Sequence, residues 1–478
     1  MMESAHWKDG VDGWLRMNQD EESRALYDAQ GIAAVRQIRL QRCGLRTLPA
    51  NVVEELAKCA TSLRVLDLAH NEIQSVPRQI GLLTSLTFFN LMANRIEELP
   101  PEIGELAQLE NLGLKSNLLV RLPPTIGLLR QLKGLFLTDN RLVSLPDEIC
   151  GLRALRKLQA ADNRLERLPD KLAQCESLEL VRLASNDIAE LSPVIAHAPR
   201  LKWLTLSSNP LCASLSAGNE FAETLRARAS TLTVVARSDV EIGDALGSGA
   251  SGDVFIASLS KVWESGGPDG HERLCCKLFR AVVSPDGKKD DEIAVSACID
   301  HPNITCVRAL VRDIDSEIVG LIMNRIPDTT LADRPDFSSY LRSRWKADLG
   351  GFFSAACVLQ VALQMADALQ YLHEQLNVMH GDFYAHNIIF DRAASRAVLC
   401  DFGASFFYDR LATGGSTFET IEVKAYGLFL SELVERCLPA EKTLASMVGA
   451  RRIADDAACA EQTNLTFRKI RMHLTNLL

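Results

Sequence analysis

The 478-residue chain is predicted to fold as two domains, an α/β solenoid of about eight coils followed by an α+β domain. Three observations predict this. Asparagines recur every 23 residues at Asn71, Asn94, Asn117, Asn140, Asn163, Asn186 and Asn209, each closing a segment of L-x-x-L-x-L-x-x-N type in which Phe89, Ala160 and Val181 stand for leucines. The period stops before Val240, where apolar strand-like runs flank a glycine-rich segment. Farther on, helical spacing of apolar residues from Ser354 to Glu374 marks a long core helix.

Composition narrows the function classes. With 47% apolar and 24% charged residues, the chain reads as a protein that folds in water, not as a collagen, a disordered tail or a membrane bundle. The net charge of −9 supplies no positive field for phosphodiester backbones, so no nucleic-acid partner is expected. Thirteen scattered cysteines without a C-x-x-C pair read as buried small hydrophobes in a reducing cytosol. No run of eighteen apolar residues and no basic-then-apolar leader is present, so a cytoplasmic location without membrane attachment is expected.

Within a repeat, Leu109, Leu112 and Leu114 alternate as a short strand, while Leu119, Leu122, Ile126 and Leu129 turn inward from the returning limb. One coil cannot bury this set. Stacking coils gives a continuous core and a parallel sheet, with each asparagine amide bonding backbone at the bend. Leu-Pro pairs at Leu99, Leu122, Leu145 and Leu168 start the return path, where no strand amide is needed. The pattern resembles the leucine-rich repeat family. An earlier coil, with Cys43 in the asparagine place, carries an insertion near Val52 to Cys59. The expected divisions are a helical cap over 1–34, the solenoid over 35–211 and a closing cap with linker over 212–238. Phe88, Met92, Phe136, Leu180 and Trp203 fall at concave-face positions, so a protein substrate or regulator is expected there, with Phe88, Phe136 and Trp203 as its aromatic contacts.

Beyond Val240, the segment Leu246-Gly247-Ser248-Gly249-Ala250-Ser251-Gly252-Asp253-Val254 has the spacing G-x-G-x-x-G-x-V. Such glycines let backbone approach phosphates closely. A dinucleotide fold would continue as a helix, but Val254 to Ala257 continues as a strand. Next come Lys277 in an apolar strand, Glu292, His301-Pro302-Asn303-Ile304, and Leu321 to Ile326. His380-Gly381-Asp382-Phe383-Tyr384-Ala385-His386-Asn387 and Asp401-Phe402-Gly403 complete the series. Together these resemble the protein kinase family over 239–478, which implies a bilobal domain with an N-lobe over 239–326 and a C-lobe over 327–478.

The resemblance implies roles and cofactors, ATP and Mg2+. Nucleotide contacts would come from Leu246, Gly247, Ser248, Gly249, Ala250, Ser251, Gly252, Val254, Lys277, Asn324 and Ile326. Glu292 would hold Lys277, Asp382 would receive the attacking hydroxyl's proton, and Asn387 with Asp401 would hold magnesium. Gly381 replaces the arginine of phosphorylation-controlled kinases, and Tyr384 replaces the lysine of most serine/threonine kinases. His386 is then the substitute cation. Glu422 stands for the aspartate that braces the catalytic loop, behind a shortened activation segment. The implied function is transfer of the γ-phosphoryl of ATP to a protein serine or threonine. Two other readings stand beside it: a nucleotide-binding scaffold without transfer, and a small-molecule kinase resembling aminoglycoside and choline kinases.

Overall fold

A computed structural model describes residues 35–59, 61–190, 198–212, 232–249, 251–259, 274–280, 283–284, 286–326, 329–335, 339, 341–346, 353–410 and 415–478. The expected cap over 1–34, the polar stretch Ser265–Arg273, Ala250 and most of the stretch 212–238 lie outside the described residues. The chain divides into two compact units, Met1–Leu201 and Lys202–Leu478.

In the first unit, alternation produces three-residue strands: β1 (Gln37–Arg39), β2 (Val65–Asp67), β3 (Phe88–Asn90), β4 (Asn111–Gly113), β5 (Gly134–Phe136), β6 (Lys157–Gln159) and β7 (Leu180–Arg182). They pair in parallel and in register, so that Ile38, Leu66, Phe89, Leu112, Leu135, Leu158 and Val181 form one fully buried row. After each strand the residue before the asparagine is left-handed, from His70 at φ 57° to Ser185 at 55°. Such a bend leaves backbone groups without ladder partners, and the asparagine supplies them. Asn117 donates to Leu91 O at 2.9 Å and Leu114 O at 3.0 Å, and its Oδ1 accepts from Ile96 N at 3.0 Å. Prolines 77, 100, 123, 146 and 169, with φ between −73° and −64°, open short 3-10 turns. These turns bury Ile80, Ile103, Ile126, Ile149 and Leu172. The insertion forms helix α1 (Ala50–Leu56), which buries Val52, Val53 and Leu56.

The second unit opens with β8 (Trp203–Thr205), an eighth repeat-type strand. Thr233–Ala236, expected within the cap and linker, forms strand β9. Next come β10 (Val240–Ser248), β11 (Gly252–Leu259) and β12 (Leu274–Phe279), then β13 (Val283–Ser284) and β14 (Gly287–Lys288). The last two form a small hairpin, in which Ser284 Oγ donates to Gly287 O and accepts from Asp286 N. Helix α2 (Lys289–Ala297), β15 (Val307–Arg312) and β16 (Ile318–Asn324) follow. Six strands make one sheet in the order β10-β11-β12-β16-β15-β9, with β9 parallel to β15. Its core is Val240, Ala257, Leu274, Cys276, Ala309, Val311 and Ile322.

A layer of helices packed on one another follows in the chain. Helix α3 (Ala355–Gln375) starts at Ser354, whose hydroxyl accepts from Cys357 N at 3.2 Å, and buries Val358, Val361, Met365, Leu369 and Leu372. Its length and hydropathy would suffice to cross a membrane, but this buried stripe packs on protein. Helices α4 (Gly415–Glu435), α5 (Ala445–Ala458) and α6 (Phe467–Thr475) complete the layer. Twelve cysteines among the described residues are unbridged.

Two of the aromatic positions on the repeat strands, Phe88 and Phe136, are partly exposed. Trp203 is not. It is 2% exposed, its Nε1 donates to Phe383 O at 3.0 Å, and its ring stacks on Tyr384. An indole so engaged presents no open surface to a protein partner.

Candidate active site

The glycine segment is the turn joining β10 to β11. Register slips between Ile242 and Ala245 and between Ala245 and Gly247 bend β10, and Gly249 N donates to Gly252 O at 2.8 Å. Beneath it, Val254 of β11 pairs with Lys277 of β12, and Lys277 pairs with Leu321 of β16. Strand alternation sends Cys276 into the sheet core and Lys277 to the opposite face. There the lysine ammonium bonds Glu292 of α2 and lies 3.3 Å from Asp401 Oδ1. Burial would lower the ammonium's pKa, but the Asp401 and Glu292 carboxylates reverse this and hold it above the usual lysine range.

These elements enclose a cavity of about 690 Å³. Leu246, Gly247, Ser248, Gly249, Gly252, Val254, Lys277, Glu292, Asn324, Ile326, His386, Asn387 and Asp401 all line it. Ser251 does not. It is buried beside Glu292, because the turn directs it beneath the glycine segment.

Asp382 sits next to this cavity on the loop that follows α3. Asn387 Nδ2 donates to Asp382 O at 2.8 Å and to Asp382 Oδ2 at 3.2 Å, and His386 Nε2 lies 4.0 Å from the same carboxylate oxygen. Glu422 of α4 holds the loop from below, accepting from His380 N at 3.1 Å and Gly381 N at 2.9 Å. His373 Nε2 lies 2.8 Å from Glu422, and its Nδ1 lies 2.7 Å from the Tyr408 hydroxyl. Burial would raise the Glu422 carboxyl's pKa, but the hydrogen bond and proximity of His373, with the Gly381 amide, hold it below its usual value.

The donor set fits a divalent cation shared with phosphate. Asp401 and Asn387 offer hard oxygens on one wall, and with Asn387 Nδ2 committed to Asp382, the amide oxygen is the end that can accept a cation. Burial would raise the Asp401 carboxyl's pKa, but the Lys277 ammonium and Arg334 guanidinium outweigh it and keep the group an anion. No cluster of three or more histidine, cysteine or acidic ligands occurs among the described residues, so phosphate oxygens and water would complete the shell. Arg334 itself escaped sequence reasoning. Its Nη2 lies 3.5 Å from Asp401 Oδ2, in the cavity wall. It belongs to no spaced motif, and only the preceding apolar Leu331-Ala332 pair hinted at an ordered segment.

The fold and cleft define a chain with a leucine-rich-repeat region and a protein kinase domain. Residues 240–425 match the protein kinase domain family and residues 107–165 the leucine rich repeat family. A protein kinase domain implies nucleotide binding. The chain is 29% identical over 171 residues to the human lymphokine-activated killer T-cell-originated protein kinase, covering 35% of this chain and 50% of that one. It is 27% identical over 115 residues to a protein of Acanthamoeba polyphaga mimivirus named "Putative serine/threonine-protein kinase R436", covering 24% and 37% respectively. The match thus spans half or less of these relatives. An LRR protein of Leptospira interrogans is 31% identical, with 38% of this chain and 50% of that one covered at a TM-score of 0.34.

Proposed function

We propose that the chain binds ATP with Mg2+ in this cavity and transfers the γ-phosphoryl to a serine or threonine hydroxyl of a protein. The repeat region recruits that substrate or a regulator through the face bearing Phe88 and Phe136. The observation that carries the reading is the Lys277, Glu292 and Asp401 network under a glycine turn, beside Asp382 and Asn387. Structural ion pairs are common, but this one opens into a cavity that also holds a cation's oxygen donors.

In this reading, glycine-turn amides and Lys277 hold the phosphates. Asp382 accepts the substrate hydroxyl's proton as its oxygen bonds to the γ-phosphorus and the bond to the bridging oxygen breaks, releasing ADP. Asn387 and Asp401 would hold magnesium, which neutralises phosphate charge when bound. Tyr384 carries no cation, so His386 and Arg334 supply the positive charge near the transferring group. The unbridged cysteines support a reducing, cytoplasmic setting.

The test is labelled ATP with magnesium, comparing wild type with Lys277→Met and Asp382→Asn. Wild type should label itself or a generic protein, and Asp382→Asn should lose about 10²–10⁴-fold in rate while still binding ATP. Absence of magnesium-dependent ATP binding in the wild type overturns the reading. One observation favours a second, non-transferring scaffold: the residue in the lysine's place, Tyr384, is stacked under Trp203. ATP binding without transfer would establish that alternative.

A further inference from the structure

We propose that residues 203–208 are a built-in clamp that positions both the loop carrying Asp382 and the helix carrying Glu292, replacing control by a phosphorylated activation segment. The proposal deepens the phosphotransfer reading and rests on it for its kinetic consequence. Trp203, Ser207 and Ser208 all belong to the second compact unit, with the residues that they touch.

At the catalytic loop, the Trp203 ring lies 4.2 Å from that of Tyr384 with only 5° between planes, and Tyr384 stacks in turn on His386 at 5.0 Å. Trp203 Nε1 donates to the carbonyl of Phe383, the residue after Asp382. A neutral aromatic pair and one hydrogen bond therefore fix the loop on both sides of Tyr384. Gly381 explains why the usual arginine is absent. Its φ is +79°, and a Cβ there would lie 2.7 Å from Ala404 O and 3.3 Å from Leu204 O. The Ala404 carbonyl, with the backbone of β8 behind it, fills the space that a side chain would need.

At the helix, the same segment acts again. Ser208 holds the left-handed bend at φ 62°, which turns its hydroxyl onto the start of α2. That helix has no side-chain cap of its own, and helix starts leave amides without partners. Ser208 Oγ accepts from Lys288 N at 3.1 Å and donates to the Asp291 carboxylate, one residue before Glu292. Ser207 Oγ donates to Asp286 O at 2.8 Å. Gly287 makes room for this approach, since a Cβ there would collide with Ser207 Oγ and lie 3.0 Å from Gly403 O. Residues 203–208 thus tie the Lys277 partner helix and the catalytic loop to one segment. Transfer requires both to be aligned.

The experiment uses the full chain with Ser208→Ala, Ser208→Asn, Trp203→Leu and Trp203→Phe. Two readouts are taken: hydrogen exchange of amides 288–297 and 380–387, and kcat and KM for ATP. Ser208→Ala should speed exchange at 288–297 and lower kcat/KM by about two- to thirty-fold, the scale of a lost helix cap, while Ser208→Asn, which tolerates the left-handed bend and can both accept and donate, falls between alanine and wild type. Trp203→Leu should speed exchange at 380–387 and lower kcat, with Trp203→Phe intermediate because it keeps the stack and loses the N–H. Adding Asp291→Ala to Ser208→Ala should cost little more than Ser208→Ala alone, since the serine variant already removes the bond to Asp291. Unchanged exchange at 288–297 in Ser208→Ala, or a cost of Asp291→Ala that adds in full to that of Ser208→Ala, overturns the clamp. A wild type that transfers no phosphoryl overturns the phosphotransfer reading instead, and the exchange arms still decide the clamp.

Discussion

At the scale of single residues, Glu422 shows how a buried charge becomes a pH-dependent stabiliser. Its carboxylate collects two backbone amides of the catalytic loop and faces His373 and His380, with Tyr408 behind His373. Its folded-state pKa is depressed, so its contribution is complete above the unfolded value of about 4.3 and is lost as pH falls through the folded value. Glu422→Gln should therefore cost about 1–3 kcal/mol at pH 7, and the gap from wild type should shrink under acid. Urea unfolding at several pH values checks this, and a gap independent of pH would contradict it. Glu422 was legible in the sequence because the segment from Glu422 to Leu433 resembles the central C-lobe helix of the kinase family, although its spacing from Asp401 is short. Arg334 was not, because its relevance is a distance across a cavity and no local pattern encodes that.

At the scale of elements, the repeat was the most readable part of the chain because each position repeats the same physics. The bend residue before each asparagine is rarely glycine-like in chemistry; it is His70, Ala93, Ser116, Asp139, Asp162 or Ser185. The asparagine that follows offsets the strain by bonding backbone on its own and the preceding coil. Asn117→Leu removes three donated bonds and one accepted bond to backbone groups that are buried or partly buried. It should lower stability by about 1–3 kcal/mol, read from urea unfolding, whereas Val120→Ala at a half-exposed site should change it little. Equal effects of the two would show that the ladder is not what holds the coil. The glycine turn, core helix and catalytic loop were equally legible, since their residue types sit at close, ordered spacings. Strand β9 was not: Thr-Val-Val-Ala is short, and its pairing with β15 reaches across some seventy residues of sequence.

At the scale of the molecule, the informative finding is where the second compact unit starts. Sequence periodicity assigns Trp203 to the solenoid, because Asn209 ends its repeat in phase with the others. Burial of that indole depends on Phe383, 180 residues away, and a periodic pattern carries no sign of such a contact. A chain starting at Asp239, where the kinase-like motifs begin, lacks both β8 and β9. It exposes the Tyr384 face that Trp203 covers and the edge of β15 that β9 pairs. A chain starting at Lys202 retains both. The longer form should unfold cooperatively with a stability greater by about 3–5 kcal/mol, the scale of removing one buried tryptophan, and the shorter should aggregate through its unpaired edge. Urea unfolding and light scattering of the two forms measure this. Matching midpoints and matching solubility would mean that residues 202–238 are dispensable to the kinase fold, and that the motif boundary is also the physical one.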